Sequence, residues 1–287
     1  MALLSAIVWA LAVILFKKSG EVVHPVGLNL FKNALAAVLL IPTAWLFGES
    51  LLRPAPASDY LLLLLSGALG IGIADTLFFK ALNTLGAGLV AVVDCLYSPA
   101  IIGLSMLWLG DQLTQWQIFG VAMILSAVLS VTREGQNHPA GRRNLLLGIL
   151  WGVLAILTMA VGIVMIKPIL DHSPLIWATE IRLIGGLLVL AVVLLLHPSR
   201  RAILLSIHTT QRWAYTLGGS FMGAYLAMII WLAGMKYTQV STASALNQTT
   251  NIFIFIFAAL LLKEKVTLLR LAAIVLAVAG ALLVTFG

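Results

Sequence analysis

Charged residues are scarce in this chain, and that scarcity sets the first limit on its class. Only 9% of its 287 residues are Asp, Glu, Lys or Arg, whereas a typical soluble domain has about 25%. Apolar residues make up 62% of the chain, and the mean hydropathy is +1.10. The composition therefore excludes a water-soluble globular domain and predicts an integral membrane protein.

Residues that build metal and catalytic centres are equally rare. Cys95 is the single cysteine, which excludes an internal disulfide and a cysteine-based metal site. None of the five histidines lies in an apolar segment, and no phosphate-binding glycine loop is present. We therefore predict no catalytic residues, no metal, no cofactor and no enzyme activity. The basic residues behind the net charge of +7 are spread over segment ends, which indicates contact with lipid headgroups and no nucleic-acid partner.

Ten apolar segments, five in each half of the chain, alternate with short polar loops. Most of them reach the ~20 residues with which a helix crosses a ~30 Å hydrocarbon core. They are apolar on all sides, which predicts helices rather than barrel strands, and hence an all-α multi-pass membrane protein with ten transmembrane helices. The first span lacks a basic leading region and a cleavage site, so no removable signal peptide is expected. The predicted spans are Leu3–Phe16, Pro25–Phe47, Tyr60–Ala81, Gly86–Leu109, Trp116–Val131, Leu145–Lys167, Pro174–Leu196, Trp213–Lys236, Val240–Leu262 and Leu268–Phe286.

Landmark residues of the first half recur in the second half at nearly constant offsets. Each falls at the same place within its half, which predicts a duplication. A unit of five spans enters the membrane from opposite sides in its two copies, so the two repeats are inverted. We assign the five-helix repeats to residues 1–132 and 145–287, with 133–144 as a linker. The matched pairs, at offsets of 149 to 153 residues, are Lys17 with Lys167, Pro25 with Pro174, Lys32 with Arg182, and Gly110–Thr114 with Lys263–Thr267.

These landmarks resemble the EamA-like branch of the drug/metabolite transporter superfamily. Each five-helix unit of that family carries a Trp and a basic residue in its first helix, an Arg in its second and a Gly-Glu-x-Leu-Thr-like turn before its fifth. The chain departs from the pattern at Met159, where the second Trp would align, at Asp111 in place of Glu, and in having no proline in span nine. The resemblance implies a secondary carrier with a central cavity and with both termini in the cytoplasm. The matching positions are Trp9, Lys17, Lys32 and Gly110–Thr114, then Lys167, Arg182 and Lys263–Thr267.

Five charged residues inside the spans point to function, since each costs a few kcal/mol or more near the bilayer centre. Lys32, Asp75 and Asp94 lie roughly 10 Å from one membrane face, counted at 1.5 Å per residue, and Glu180 and Arg182 lie at comparable depth from the other. Lys32 with Asp75 or Asp94 fits either a structural ion pair or a role in substrate binding or proton coupling. Glu180 and Arg182 are two residues apart and face different directions, so they are not expected to pair with each other, but each is also a candidate for coupling or for an ion pair.

Polar residues in spans four and nine predict a binding surface. Asp94 and Ser98 share one helix face, and the repeat offset leads to Asn247 and Asn251 at the same spacing. Pro99 is expected to kink span four. The alternatives are that the polar groups only join helices, at roughly 0.6 kcal/mol per hydrogen bond, and that the aromatic residues are packing or interfacial anchors. The candidate substrate-binding residues are Asp94, Asn247, Asn251, Ser98, Tyr97, Gln248, Thr250, Tyr225 and Trp9.

The distribution of polar and charged residues also predicts which spans lie at the periphery and how the chain is oriented in the membrane. Spans five and ten are almost free of polar residues, so they should face lipid or a second copy of the chain, in a monomer or a homodimer. The span-end residues Lys17, Lys80 and Lys167 are expected to extend to the interface. The face opposite the termini holds 12 basic loop residues against 3 on the other, and the positive-inside rule then puts both termini outside the cytoplasm. This inference disagrees with the family resemblance.

The favoured function is a secondary transporter, with export as the expected direction, in the plasma (inner) membrane. Its small-molecule substrate would be a polar metabolite, such as an amino acid or a nucleobase, moved by alternating access through a central cavity; proton coupling stays open. The alternative is a proton-driven multidrug exporter of organic cations, against which counts the lack of an acid in span one. An intramembrane enzyme is disfavoured because no histidine lies in a span.

Overall fold

The computed structural model of the chain describes residues 2–50, 53–109, 114–132, 141–237 and 240–286, except for the side chains of residues 2–3, 102, 105–109, 131–132, 235–237 and 240–248. All regular structure in these residues is helical, as the sequence predicts. The helices are α1 (Ala2–Ser19), α2 (Pro25–Leu46), α3 (Ala57–Leu85), α4 (Ala87–Asp94), α5 (Tyr97–Leu109), α6 (Gln115–Thr132), α7 (Gly141–Val164), α8 (Lys167–His172), α9 (Leu175–Leu196), α10 (Arg200–His208), α11 (from Trp213 to Tyr237), α12 (Val240–Leu261) and α13 (Leu268–Phe286).

Helix occupies each of the ten predicted spans, and the fourth span is divided between α4 and α5. Six helices are long and apolar enough to cross a membrane on these grounds alone: α2, α3, α7, α9, α13 and the Trp213–Gly234 part of α11. Spans four, five and nine contain shorter apolar helices, and α1 occupies span one with 18 residues. The chain is therefore a multi-pass membrane protein.

Helix contacts repeat between the two halves of the chain, as two inverted repeats require. The α1 contacts with α12 and α11 correspond to the α7 contacts with α4–α5 and α3. The contact of α9 with α3 corresponds to that of α2 with α11. Two contacts, α2 with α9 and α6 with α13, join a helix to its own counterpart. This pattern agrees with the predicted fold class.

The helices α3 and α11 depart from regular α-helix at equivalent places. Ala68–Ile73 in α3 and Ser220–Ala227 in α11 are π-helical, and the repeat offset of about 150 residues relates the two segments. A π-helical turn leaves a backbone carbonyl without its usual partner and often marks a functional site. Asn29 of α2 compensates in the first half, because its Nδ2 donates to the carbonyls of Ile71 at 2.8 Å and Gly72 at 3.1 Å.

The break between α4 and α5 divides span four in its middle. Backbone bonds there shorten to the i to i−3 type, from Cys95 N to Val92 O and from Leu96 N to Val93 O. Pro99 explains the break, since it has no N–H to donate to the Cys95 carbonyl and its ring would collide with that carbonyl in a continuous helix. Asp94 ends one segment and Tyr97 begins the next.

The helices α6 and α13 form a pair at one side of the molecule. A Cβ built on Gly120 would lie 2.6 Å from the Gly280 carbonyl oxygen, and one on Gly280 equally close to the Gly120 oxygen. The outer faces expose apolar side chains such as Phe119, Leu129 and Val275. The pair therefore lies at the periphery, where the sequence placed spans five and ten.

Candidate functional site

A cavity of about 140 Å³ lies between the two halves of the chain. Its lining comes from both halves and joins the middle of several helices. No described residue of α6, α12 or α13 belongs to it. The lining residues are Ser5 and Trp9 of α1, Lys32 of α2, Ile71 and Asp75 of α3, Asp94, Tyr97, Met159 of α7, Arg182 of α9, and Gly223, Ala227, Met228 and Trp231 of α11.

Lys32 and Asp75 form a buried ion pair in the cavity wall. The Lys32 Nζ donates to Asp75 Oδ2 at 2.7 Å and to Asn33 Oδ1 at 3.0 Å, and the two charged residues are 1% and 6% exposed. Asn33 in turn donates to Asn29 Oδ1 at 2.8 Å. This network leaves Lys32 and Asp75 satisfied by protein groups, so it fixes α2 against α3.

Arg182 enters the cavity from the second half, at the position that corresponds to Lys32. Its Nε donates to Ser66 Oγ at 3.1 Å, and Ser66 Oγ donates to the Gly162 carbonyl at 2.5 Å. Among the residues that the structure describes, no carboxylate lies within ion-pair distance of this guanidinium. Arg182 is therefore oriented through one edge, and its terminal nitrogens form no ion pair with a described side chain, although the charge of Asp75 lies within electrostatic reach.

Asp94 and Tyr97 flank the helix break on the opposite wall. Asp94 lines the cavity and makes neither an ion pair nor a hydrogen bond with any described side chain. The Tyr97 hydroxyl is buried and likewise lacks a hydrogen-bond partner within the described part of the chain. Tyr97 lies close enough to both Asp94 and Arg182 to interact electrostatically with each. The three groups thus face one shared space.

Apolar and aromatic side chains complete the wall. Trp9 packs near Phe16 and Phe78, with ring centroids 6.5 and 6.3 Å apart. Met159 lines the second half at the position that aligns with Trp9, so the repeat itself could have indicated it. Met228 and Trp231 carry no such signal, because an apolar residue facing a cavity looks in sequence like one facing lipid.

Four other predicted binding residues, Asn251, Ser98, Thr250 and Tyr225, do not belong to the cavity lining. Asn251 lies where α12 meets α4, and its Nδ2 donates to Cys95 Sγ at 3.4 Å. Ser98 and Thr250 are buried, and the Tyr225 hydroxyl shares a 2.6 Å hydrogen bond with Thr43. The predicted residues Asn247 and Gln248 have side chains outside the described ones.

Glu180 is a buried acid outside the cavity lining. It is 6% exposed, and its Oε2 has no hydrogen-bond partner among the described residues. It does not pair with Arg182, as its spacing predicts. Two apolar clusters flank it on α9, one containing Ile176 and the other Ile181, and Met228 packs against both. Glu180 is therefore a buried acid on α9 that the cavity lining does not include.

At the face of the α3–α4 turn, Glu264 joins the two halves and Lys17 joins α1 to α3 within the first half. Glu264 accepts hydrogen bonds from the backbone N–H of Ala87 at 2.8 Å and of Gly88 at 3.0 Å, at the start of α4. Lys17 donates to the carbonyls of Leu82 and Asn83 at the end of α3, both at 3.0 Å. Lys17 therefore satisfies carbonyls at a helix terminus, and its extension to the interface stays a prediction.

A second contact on this face joins Glu21, after α1, to Arg212, before α11. Their side chains form an ion pair, and Lys18 lies 3.5 Å from the same carboxylate. Partial burial alone would raise the pKa of Glu21, but the hydrogen bond from Arg212 and the charges of Lys18 and Arg212 outweigh it and lower that pKa below its ordinary value. The carboxylate is therefore ionised and holds this side of the molecule together.

The cavity extends toward the other face, which carries the chain termini. Ser5 lies in the first turn of α1, and Met159 and Trp231 lie within two turns of the ends of α7 and α11 at that same face. The contacts of Glu264, Lys17 and Glu21 lie at the opposite face, and these lining residues extend the cavity toward the face that carries the termini.

A multi-pass helical membrane protein of two inverted halves, with a charged cavity between them, has the architecture of a membrane transporter. The sequence profile of the EamA-like transporter family matches residues 1–133 and 146–286, and the chain belongs to that family. It is thus a transporter of the drug/metabolite superfamily, as its landmark residues predict.

Similar proteins include a transporter from an archaeon and a solved structure, each aligned over nearly the whole chain. An uncharacterized transporter from Archaeoglobus fulgidus is 22% identical over 289 residues, covering 99% of this chain and 96% of the relative. A crystal structure of another protein superposes with a TM-score of 0.70 at 18% identity, covering 98% of this chain and 94% of that one. At this identity the superposition demonstrates the shared fold alone.

Proposed function

We propose that the chain is a secondary carrier that moves a small polar metabolite, such as an amino acid or a nucleobase, through the central cavity by alternating access. The observation that carries this proposal is the cavity between the halves, because it contains Asp94 and Arg182, which form no ion pair with a described side chain. Asp94 and Arg182 each cost free energy in a membrane interior unless a ligand or water compensates them.

The arrangement of the halves supports alternating access. Contacts of Glu264 and Lys17 close one face, while the cavity is displaced toward the other. In such a carrier the two inverted repeats exchange their conformations when the cavity changes sides. The opposite state would then close the face that carries the termini.

We propose that the carrier lies in the plasma membrane and exports its substrate. We propose that it works as a monomer or a homodimer.

A second candidate function is export of organic cations driven by protons. It is favoured by the unpaired Asp94 beside the indoles of Trp9 and Trp231, since carboxylates and aromatic faces both attract cations. Arg182 in the same cavity counts against it, because a second positive charge would repel such a substrate.

The proposal also keeps the predicted contributions of six further residues to substrate binding. These residues are Asn247, Asn251, Gln248, Ser98, Thr250 and Tyr225.

Counterflow in proteoliposomes tests the function. Vesicles loaded with one unlabelled amino acid, nucleobase or organic cation are mixed with the labelled compound, and its transient accumulation is measured. We expect saturable counterflow for at least one small polar compound and none after Ala227→Phe, which fills the cavity. Gel filtration checks that this variant folds, and Met159→Trp replaces it otherwise. Absence of counterflow for every compound would contradict the proposal.

A further inference from the structure

The short helix α10 connects α9 to α11 at the face of the α3–α4 turn. It has nine residues, which is too few to cross a bilayer. The ring of His197, just before α10, lies 5.8 Å from the ring of His24, and Arg212, just after α10, forms an ion pair with Glu21. Because His24 and Glu21 lie in the turn from α1 to α2, both ends of α10 are held at the membrane surface on this side of the protein.

One side of α10 is fixed to the start of α2. Ile203 is 1% exposed and packs with Val26 and Leu190 in one apolar cluster. The Ser206 Oγ accepts a hydrogen bond from the backbone N–H of His24 at 3.2 Å, directly before α2. These contacts give α10 a defined orientation, so its opposite side points away from the rest of the chain.

That outer side of α10 combines basic and apolar side chains. Arg200 and Arg201 are exposed, and neither forms an ion pair with a described side chain. Leu204 and Leu205 are 48% and 59% exposed, and at 3.6 residues per turn they share the side of the two arginines. No Asp or Glu occurs in residues 197–212. The outer side therefore carries positive charge and apolar surface together.

This combination fits the boundary between lipid headgroups and acyl chains. A short helix with arginines and leucines on one surface lies in the plane of that boundary and inserts its apolar side chains. The arginines then lie at the height of the phosphate groups, with which a guanidinium forms paired hydrogen bonds. Trp213, the first residue of α11, is 37% exposed next to α10, and tryptophan is enriched at this depth.

We propose that α10 is a surface helix that binds anionic phospholipid, with Arg200 and Arg201 on the headgroup phosphate and Leu204 and Leu205 among the upper parts of the acyl chains. This inference is independent of the transported substrate. Since the inner side of α10 packs on the start of α2, a lipid bound to the outer side stabilises the position of α2 and with it the folded protein.

Thermal unfolding in lipid nanodiscs tests the proposal with the full chain. Nanodiscs of phosphatidylcholine are compared with nanodiscs in which half of the lipid is phosphatidylglycerol with the same acyl chains. We expect a higher Tm in the anionic discs. The double variant Arg200→Gln, Arg201→Gln should lose at least about half of that rise, because each arginine near the surface adds to the attraction for anionic lipid.

Arg200 also donates to the Leu195 carbonyl at 3.4 Å, so its replacement can change the stability of the protein by itself. Each variant is therefore compared with itself in the two kinds of disc. The matched control is the double variant Arg142→Gln, Arg143→Gln, which removes two exposed adjacent arginines at the start of α7 on the same face. It should keep the full rise in Tm. The double variant Leu204→Ser, Leu205→Ser should lose part of the rise.

The remaining outcomes contradict the proposal in different ways. An equal Tm of the parent in both kinds of disc would show that anionic lipid does not bind to the folded protein. Equal losses in the two arginine double variants would assign the effect to the total charge of this face. If inorganic phosphate raises the Tm in detergent as much as anionic lipid does in discs, the arginines bind a free anion. None of these results depends on whether the protein transports a substrate.

Discussion

At the scale of residues, four charges in one cavity have two different environments. Lys32 and Asp75 are held by each other and by the asparagines of α2. Asp94 and Arg182 line the cavity without an ion-pair partner among the described side chains. This difference in pairing is caused by the neighbouring side chains and not by the depth in the membrane, because all four residues lie in the membrane interior. Removing one partner of a buried pair leaves an uncompensated charge, while removing an unpaired charge leaves none.

The first prediction compares the two carboxylates in stability. Asp75→Asn should lower the free energy of unfolding by about 3 kcal/mol, because Lys32 then stays buried without a counter-charge. Asp94→Asn should leave the stability of the substrate-free protein near that of the parent. Thermal unfolding of both variants in the same detergent measures the difference. Equal losses in the two variants would show that Asp94 is also held by a structural partner.

The second prediction concerns coupling. Asp94→Asn should reduce amino-acid counterflow at least about tenfold, with or without a pH gradient, since the ammonium loses its charged partner. A variant that keeps counterflow but loses its response to the pH gradient would instead assign Asp94 to proton exchange. If Asp75→Asn and Asp94→Asn both transport like the parent under both conditions, the charge cluster is structural.

The charged residues of the cavity could be selected from the sequence. Which residues of span four face the cavity could not be predicted in this way. The pairing of Asp94 with Ser98 assumed an unbroken helix. Because the chain turns at Cys95 and Leu96, Tyr97 takes the next position on the cavity wall and Ser98 is buried elsewhere. The apolar lining residues Met228 and Trp231 were beyond prediction, since hydropathy does not separate a cavity from lipid.

At the scale of elements, close helix crossings and helix caps determine the geometry around the cavity. The helices α3 and α9 cross so closely that a Cβ on Gly67 would lie 1.8 Å from the Arg182 carbonyl oxygen. The small residues in spans three and eight were visible in the sequence, but their π-helical turns and partners were not, because these depend on the facing helix. Glu264 contacts Ala87 and Gly88, which are 177 and 176 residues away in the chain.

The third prediction tests the α3–α9 crossing. Gly67→Ala should destabilise the protein by about 3 kcal/mol, because the new methyl group collides with backbone atoms that cannot move aside. Gly218→Ala is the matched control in a helix, since its nearest neighbour is Leu15 at 3.4 Å and alanine favours helix by up to ~1 kcal/mol. Thermal unfolding should separate the two variants, and equal stabilities would contradict the close crossing.

The fourth prediction tests the closed face. Glu264→Ala removes two charge-assisted hydrogen bonds from the start of α4 and should cost about 1–2 kcal/mol at this half-buried position. It should also favour the state that is open at that face. Lys265→Ala, at an exposed neighbour, is the control and should change neither property. Unchanged stability in Glu264→Ala would show that the contact does not hold the halves together.

At the scale of the whole molecule, the inverted repeat relates the contacts of one half to those of the other. Its existence was predictable from offsets of about 150 residues between landmarks, and the contact pattern of the helices agrees with it. The direction of insertion was not predictable in this way, since the repeat is symmetric with respect to the two faces. The charge bias and the family resemblance give opposite answers for that direction.

The fifth prediction concerns the termini. A reporter that is active on only one side of the membrane should give the same result at the N-terminus and at the C-terminus, because ten spans return the chain to its starting face. The side of the membrane on which the two terminal reporters are active then decides the orientation. The charge bias predicts the outside, and the family resemblance predicts the cytoplasm. Opposite results at the two ends would contradict ten spans.

Alternating access is tested most directly by labelling one cavity position from each side of the membrane. In a Cys95→Ala background, Met228→Cys places a single thiol on the cavity wall, and a membrane-impermeant thiol reagent is added to one side or the other. We expect labelling from both sides, slowed in each case by a transported substrate, and none in Cys95→Ala alone. Labelling from one side only, with or without substrate, would contradict a carrier that opens its central cavity to each face in turn.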